Sequence, residues 1–118
     1  MSPQPPVDLD DFRSAMRAAG IEEIIEPMLD LFVTEAAKGM DQLAAAMSDG
    51  DLDALGRAAH SLKSSAGNVR ANALASLLQE LETAAAEGDR ATATRLLGEV
   101  QAEHAAAVGY LGERRKGG

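Results

Sequence analysis

A chain of 118 residues has the size of one domain and can bury a single modest core. Its formal net charge of −8 argues against nucleic acid or an anionic membrane surface as the main partner, since both reward a basic face. The absence of cysteine excludes a disulfide framework and a thiolate metal site, and it fits a reducing compartment.

Hydrophobic residues make up 46% of the chain but aromatics only 3%, so the core must come from Ala, Leu, Met, Val and Ile, which are mostly good helix formers. Residues 1–7 are proline-rich and read as an extended, mobile leader. They lack the basic start and apolar run of a signal peptide, and no apolar stretch approaches the ~20 residues of a membrane span, so a soluble, cytoplasmic protein is expected. A first helix is predicted from Leu9 to Ala19, capped by Asp8 and stopped by Gly20, with Leu9, Phe12 and Met16 on one stripe. After a short segment at Ile21–Ile25, a second helix starts near Pro27. Its stripe is Leu29, Phe32, Val33, Ala36, Met40, Leu43 and Met47, ending at Asp49-Gly50.

Asp51 opens a third helix that reaches Val69. A fourth spans Asn72 to Glu87, with Leu74, Leu77, Leu78, Leu81 and Ala85 inside. Gly88-Asp89 closes it and starts a fifth, whose inner face holds Leu96, Leu97, Val100, Ala107, Val108 and Leu111. Residues 113–118 read as a fraying basic tail. Short links between long amphipathic helices predict an all-α fold over residues 8–112: an antiparallel up-down four-helix bundle with an additional short N-terminal helix. Met1 and the short tail favour a free-standing protein over a domain cut from a hybrid kinase.

The third helix holds the functional signal. Leu52, Leu55, Ala59, Leu62, Ala66 and Val69 form a bundle-core seam. His60 points roughly 125° away from the centre of that seam and should face water. Gly56 and Ser64 lie one turn either side of it, Gly67 two turns on, and Arg57 and Lys63 flank it. A glycine inside a helix costs up to about 1 kcal/mol relative to Ala, which makes Gly56 odd on a mere solvated surface. Small residues around a protruding imidazole suit the approach of another protein, and two nearby cations suit an imidazole that at times carries anionic charge. His104, between Val100 and Val108, reads instead as a packed structural histidine.

His60-Ser61-Leu62-Lys63-Ser64-Ser65-Ala66-Gly67, preceded by Ala58-Ala59 and followed by a Leu-x-x-Leu-Leu-x-x-Leu-Glu run ending at Glu82, resembles the histidine-containing phosphotransfer (HPt) domain of bacterial phosphorelays. The specific part is Ala58 to Gly67. The resemblance implies that His60 is the phosphoacceptor and that Lys63 helps hold the phosphoryl oxygens, with Gly56, Arg57, Ser64 and Gly67 on the partner-docking face. Ser64 and Arg70 stand where the family often has glycine. The implied protein is a carrier and not an enzyme. It would accept a phosphoryl group from a receiver-domain aspartate, or from a histidine kinase system, and pass it to a response regulator. No cofactor of its own is implied, Mg²⁺ being supplied by the receiver, and the expected partners are receiver domains and a histidine or hybrid histidine kinase, with a monomeric state. Imidazole titrates near ~6.5, so it is largely neutral and nucleophilic at cellular pH. Phe12, Met16 and Ile21 are candidates for an apolar docking patch or for cover over one end of the core.

Three other readings compete with this one. A dimeric histidine-kinase hairpin usually has an acidic residue after the acceptor and then a proline, whereas Ser61 follows His60 and no proline occurs after Pro27. A carboxylate-bridged metal bundle needs Glu-x-x-His pairs, and Arg57 and Gln101 occupy those places. The remaining alternative is a helical interaction adaptor that is never phosphorylated.

Overall fold

The computed structural model describes residues 4–116. Within them the chain forms α1 (Leu9–Ala18), a 3₁₀ turn (Glu22–Ile24), α2 (Ile25–Asp49), α3 (Leu52–Asn68), α4 (Asn72–Ala86) and α5 (Arg90–Lys116). Within α2–α5, helices adjacent in sequence pack side by side, and α5 returns to α2 to close a four-helix bundle. The all-helical bundle with an extra N-terminal helix is the architecture the sequence predicts. No helix of the described residues is long and apolar enough to cross a membrane.

Local chemistry sets the boundaries. Asp8, Asp51 and Asp89 each cap a helix, their carboxylates accepting from the backbone N–H of Asp11 (3.1 Å), Ala54 (3.0 Å) and Thr92 (3.1 Å). Each helix-to-helix junction closes through the same wrapped turn, an N–H reaching back five residues: Ile21 to Met16, Asp51 to Ala46, Ala71 to Ala66 and Asp89 to Ala84. That turn needs a left-handed residue. Gly50 (φ +70°) and Gly88 (φ +71°) supply it without strain, whereas the α3–α4 turn uses Arg70 at φ +65°. Arg70 compensates with contacts: its Nη1 donates to the Gly67 carbonyl at 3.3 Å and its Nε to Asp11 on α1 at 2.7 Å.

The interior follows the predicted stripes. Leu55, Ala59, Leu62, Ala66 and Val69 of the α3 seam are buried against Leu29, Phe32, Leu43, Leu74, Leu78, Leu81 and Val100. Gly39 of α2 is also buried, and it lets α3 approach so closely that a Cβ there would stand 3.1 Å from Leu62 Cδ2.

Three boundaries differ from expectation by more than one residue. α2 begins at Ile25, so Pro27 is its third residue; a proline fits anywhere in a first turn, where its missing N–H is not needed. The leader expected over residues 1–7 is packed at its end: Val7 is fully buried, and Met1–Pro3 lie outside the described residues. The basic tail expected to fray from Glu113 continues α5 through Lys116, with Gly117 and Gly118 outside the described residues. Arg115 reaches Glu26 at 2.8 Å and also pairs with Asp30, both on α2. A local charge run cannot show carboxylates so distant in sequence.

Candidate functional site

The seam of α3 faces the core and thereby turns His60 outward, its side chain 62% exposed. The imidazole stands on the rim of an open groove between α3 and α4. Gly56, Arg57 and Asp53 line it from α3, and Glu82, Ala85 and Ala86 from α4. The groove is narrow at Gly56, where an added Cβ would meet the Ala85 methyl at 3.6 Å.

Glu82 organises the site. Its Oε2 lies 3.0 Å from His60 Nδ1, and its Oε1 accepts from Lys63 Nζ at 2.8 Å. Lys63 also donates to Gln79 Oε1 at 2.7 Å. The Lys63 ammonium first, and His60 as well, hold the Glu82 carboxyl below the usual carboxylate range against an opposing desolvation cost. Glu82 is therefore ionised at neutral pH. With Nδ1 engaged, Nε2 is the ring nitrogen left to the solvent; among the described residues no protein group bonds to it.

The structure brings His60, Gly56 and Arg57 together on one groove and places Lys63 on the far side of the Glu82 carboxylate, only 24% exposed. Arg57 forms no ion pair among the described residues. Ser64 and Gly67 lie further along the His60 stripe, outside the groove. The Ser64 hydroxyl turns back toward the His60 carbonyl at 3.5 Å, and nothing stands within 4 Å of the place of a Gly67 Cβ. Glu82, expected only as the end of the Leu-rich run, and Gln79 are not among the predicted site residues. The available signal was their spacing: three apart on α4, they share a face beside the buried Leu78 and Leu81.

A family model, the Hpt domain, matches residues 27–109. The chain belongs to the Hpt domain family. Its fold superposes on the crystal structure of histidine-containing phosphotransfer protein B (HptB) from Pseudomonas aeruginosa PAO1 with a TM-score of 0.84 at 30% identity, over 97% of this chain and 98% of that one. A search of curated proteins finds no match. The Hpt assignment makes the chain a histidine phosphotransfer protein of the phosphorelay type.

Two of the three apolar docking candidates resolve toward the core. Phe12 is fully buried, Met16 packs partly buried against the core, and Ile21 is half-buried. The large hydrophobic side chain exposed among the described residues is Leu31, at 60%, beside a small hollow shared by Met28 and Phe32 of α2 and Ser65, Asn68 and Val69 around the end of α3. His104 is half-buried on α5. Its Nε2 is buried without a partner, and burial lowers its pKa, as suits a packed structural histidine.

Proposed function

We propose that His60 is the phosphoryl acceptor, and that this protein is a cytoplasmic, monomeric carrier without kinase activity of its own. The observation that supports this reading most directly is the imidazole geometry: Nδ1 is tied to Glu82 while the ring is 62% exposed, so Nε2 is presented to an incoming partner. A receiver domain carrying an aspartyl phosphate docks over the α3 face, and Nε2 attacks phosphorus in line with the departing carboxylate oxygen. Such a transfer depends on positioning and charge balance more than on covalent machinery. The phosphoryl group adds about −1.5 to −2 charge. Lys63 and the unpaired Arg57 are the cations near enough to offset it. Mg²⁺ comes with the receiver's own acidic pocket.

Gly56, Ser64 and Gly67 keep the surface around the ring low. Leu31, with the edge of Met28, adds an apolar contact at the α2 side of the same docking surface. Response-regulator receivers and a histidine or hybrid histidine kinase are the partners on this reading.

The test is incubation of the protein with a panel of phosphorylated receiver domains, alongside His60→Gln, read by intact mass and acid stability. One acid-labile phosphoryl adduct on the wild type and none on the variant is expected. Equal labelling of the variant refutes His60 as acceptor. No adduct from any competent receiver points to an unphosphorylated helical adaptor.

A further inference from the structure

An ammonium has three hydrogens to donate and no acceptor, so the partners of those hydrogens decide what the cation can still do. On Lys63 two of them go to α4: one to Gln79 Oε1 at 2.7 Å and one to Glu82 Oε1 at 2.8 Å. Glu82 divides its carboxylate between Lys63 and His60, whereas the Gln79 oxygen serves Lys63 alone among the described residues. Gln79 is exposed on α4, so its amide does not fill the core. The amide is nevertheless oriented: its NH₂ donates to Thr83 Oγ1 at 3.4 Å, and the Thr83 hydroxyl donates back to the Gln79 carbonyl at 3.0 Å. That leaves the side-chain oxygen, the end that can accept from an ammonium, turned to Lys63. Being neutral, Gln79 adds no charge to the site; it acts only on where the charge of Lys63 rests.

Resting on the acceptor role of His60 and on Lys63 as a cation for its phosphoryl group, we propose that Gln79 is a positioning residue that sets how fast the loaded carrier lets go. Its oxygen tethers Lys63 to α4, so that the ammonium offers the phosphoryl group one hydrogen and not two. In return transfer a receiver carboxylate oxygen forms the new P–O bond, the N–P bond breaks, and its electron pair stays on Nε2. A hydrogen bond that holds the phosphoryl oxygens in the loaded carrier, and does not strengthen in the transition state, slows that step. The tether keeps such holding weak, because Lys63 would have to abandon a charge-assisted hydrogen bond to Gln79 before turning a second hydrogen to the phosphoryl group. With the amide oxygen removed, Lys63 keeps Glu82 and has two hydrogens for the phosphoryl oxygens. The loaded form is then held more tightly and passes its group on more slowly, although the site has neither gained nor lost a charge.

Gln79→Met isolates the tether, since it keeps an unbranched, helix-favouring side chain and removes the acceptor oxygen. Full-length wild type and variant are loaded by a phosphorylated receiver domain, separated from it, and mixed with rising concentrations of unphosphorylated receiver under rapid quench. Gln79→Met is expected to lower the maximal transfer rate about fivefold, with the half-saturating receiver concentration and the helical circular dichroism unchanged. Gln79→Glu, which puts an acceptor oxygen back at the same reach, is expected to transfer no more slowly than wild type. In a Lys63→Gln background Gln79→Met should change nothing, because the group it tethers is gone. Before loading, ¹⁵N relaxation of the Lys63 ammonium should show it restrained in wild type and more mobile in Gln79→Met. A Gln79→Met protein that transfers as fast as wild type overturns the proposal. So does a fivefold loss that persists in the Lys63→Gln background, or a Lys63 ammonium equally mobile in both proteins. Wild-type protein that takes no phosphoryl group from any competent receiver refutes the acceptor reading instead; the relaxation measurement still decides whether Gln79 tethers Lys63.

Discussion

Replacing Gly56 by alanine should stabilise this protein, while the same change at Gly39 should destabilise it. Both glycines sit inside helices, where alanine is favoured by about 1 kcal/mol. At Gly56 the new methyl would meet the Ala85 methyl at 3.6 Å, an ordinary contact, so the propensity gain survives. At Gly39 it would stand 3.1 Å and 3.3 Å from the two Cδ atoms of Leu62, which is only 3% exposed. Overpacking of that kind costs about 1–3 kcal/mol, which outweighs the propensity gain and leaves a net loss of about 1 kcal/mol. A chain of 118 residues shifts its melting temperature by about 4 °C per kcal/mol. Thermal melts followed by circular dichroism should therefore place Gly56→Ala about 4 °C above wild type and Gly39→Ala about 4 °C below it. Gly39→Ala melting at or above wild type, or Gly56→Ala melting below it, would refute the packing argument. The functional corollary is that the glycine at 56 sets the floor of the groove beside His60. Gly56→Leu, which fills that floor, should slow phosphoryl transfer while the helical signal persists.

Arg70 holds a left-handed backbone at φ +65°. Arg70→Ala loses the Asp11 pair and keeps the strain, whereas Arg70→Gly loses the pair and relieves it. Urea denaturation should show Arg70→Gly the more stable of the two by about 1 kcal/mol, and equal midpoints would remove the strain from the account. His104 predicts a pH effect. Burial lowers its folded pKa, so its contribution is complete above the unfolded value near ~6.5 and is lost as pH falls below that. The drop in melting temperature between about pH 7.5 and about pH 5.5 should be smaller in His104→Leu than in wild type, with His60→Gln as the control for the exposed histidine. Parallel slopes in wild type and His104→Leu would refute it.

What could be read from the sequence was whatever repeats along one helix. The 3-4 spacing of Leu55, Ala59, Leu62 and Ala66 fixes the buried side of α3 and hence the outward direction of His60, and both hold in the structure. Asp8, Asp51 and Asp89 announced helix starts because a capping carboxylate acts three residues ahead. Arg70 shows how a departure from a family pattern can be explained afterwards: glycine is common there because the turn needs a left-handed residue. What escaped were pairings across helices. Glu82 lies 22 residues from His60, and Arg115 lies 89 and 85 residues from Glu26 and Asp30. No periodicity of one helix says which charge on another it will meet, so Glu82 is assigned no role from the sequence and Arg115 reads as part of a loose tail.

The charges of the groove bear on which direction the carrier favours. In the unphosphorylated protein the ionised groups cancel, Glu82 and Asp53 against Lys63 and Arg57. On the proposed acceptor role, a phosphoryl group on His60 adds about −1.5 to −2 to this balance and leaves a negative remainder. Lys63 cannot neutralise that remainder freely, because it is already shared between Glu82 and Gln79 and is only 24% exposed. A shallow groove of this kind leaves the phosphoryl oxygens under-coordinated by the carrier itself. On that reading the cations held in the receiver's pocket complete the site only during docking. A deeper cationic cage would have bound the phosphoryl group more tightly and handed it on more slowly, and the open rim between α3 and α4 avoids that outcome.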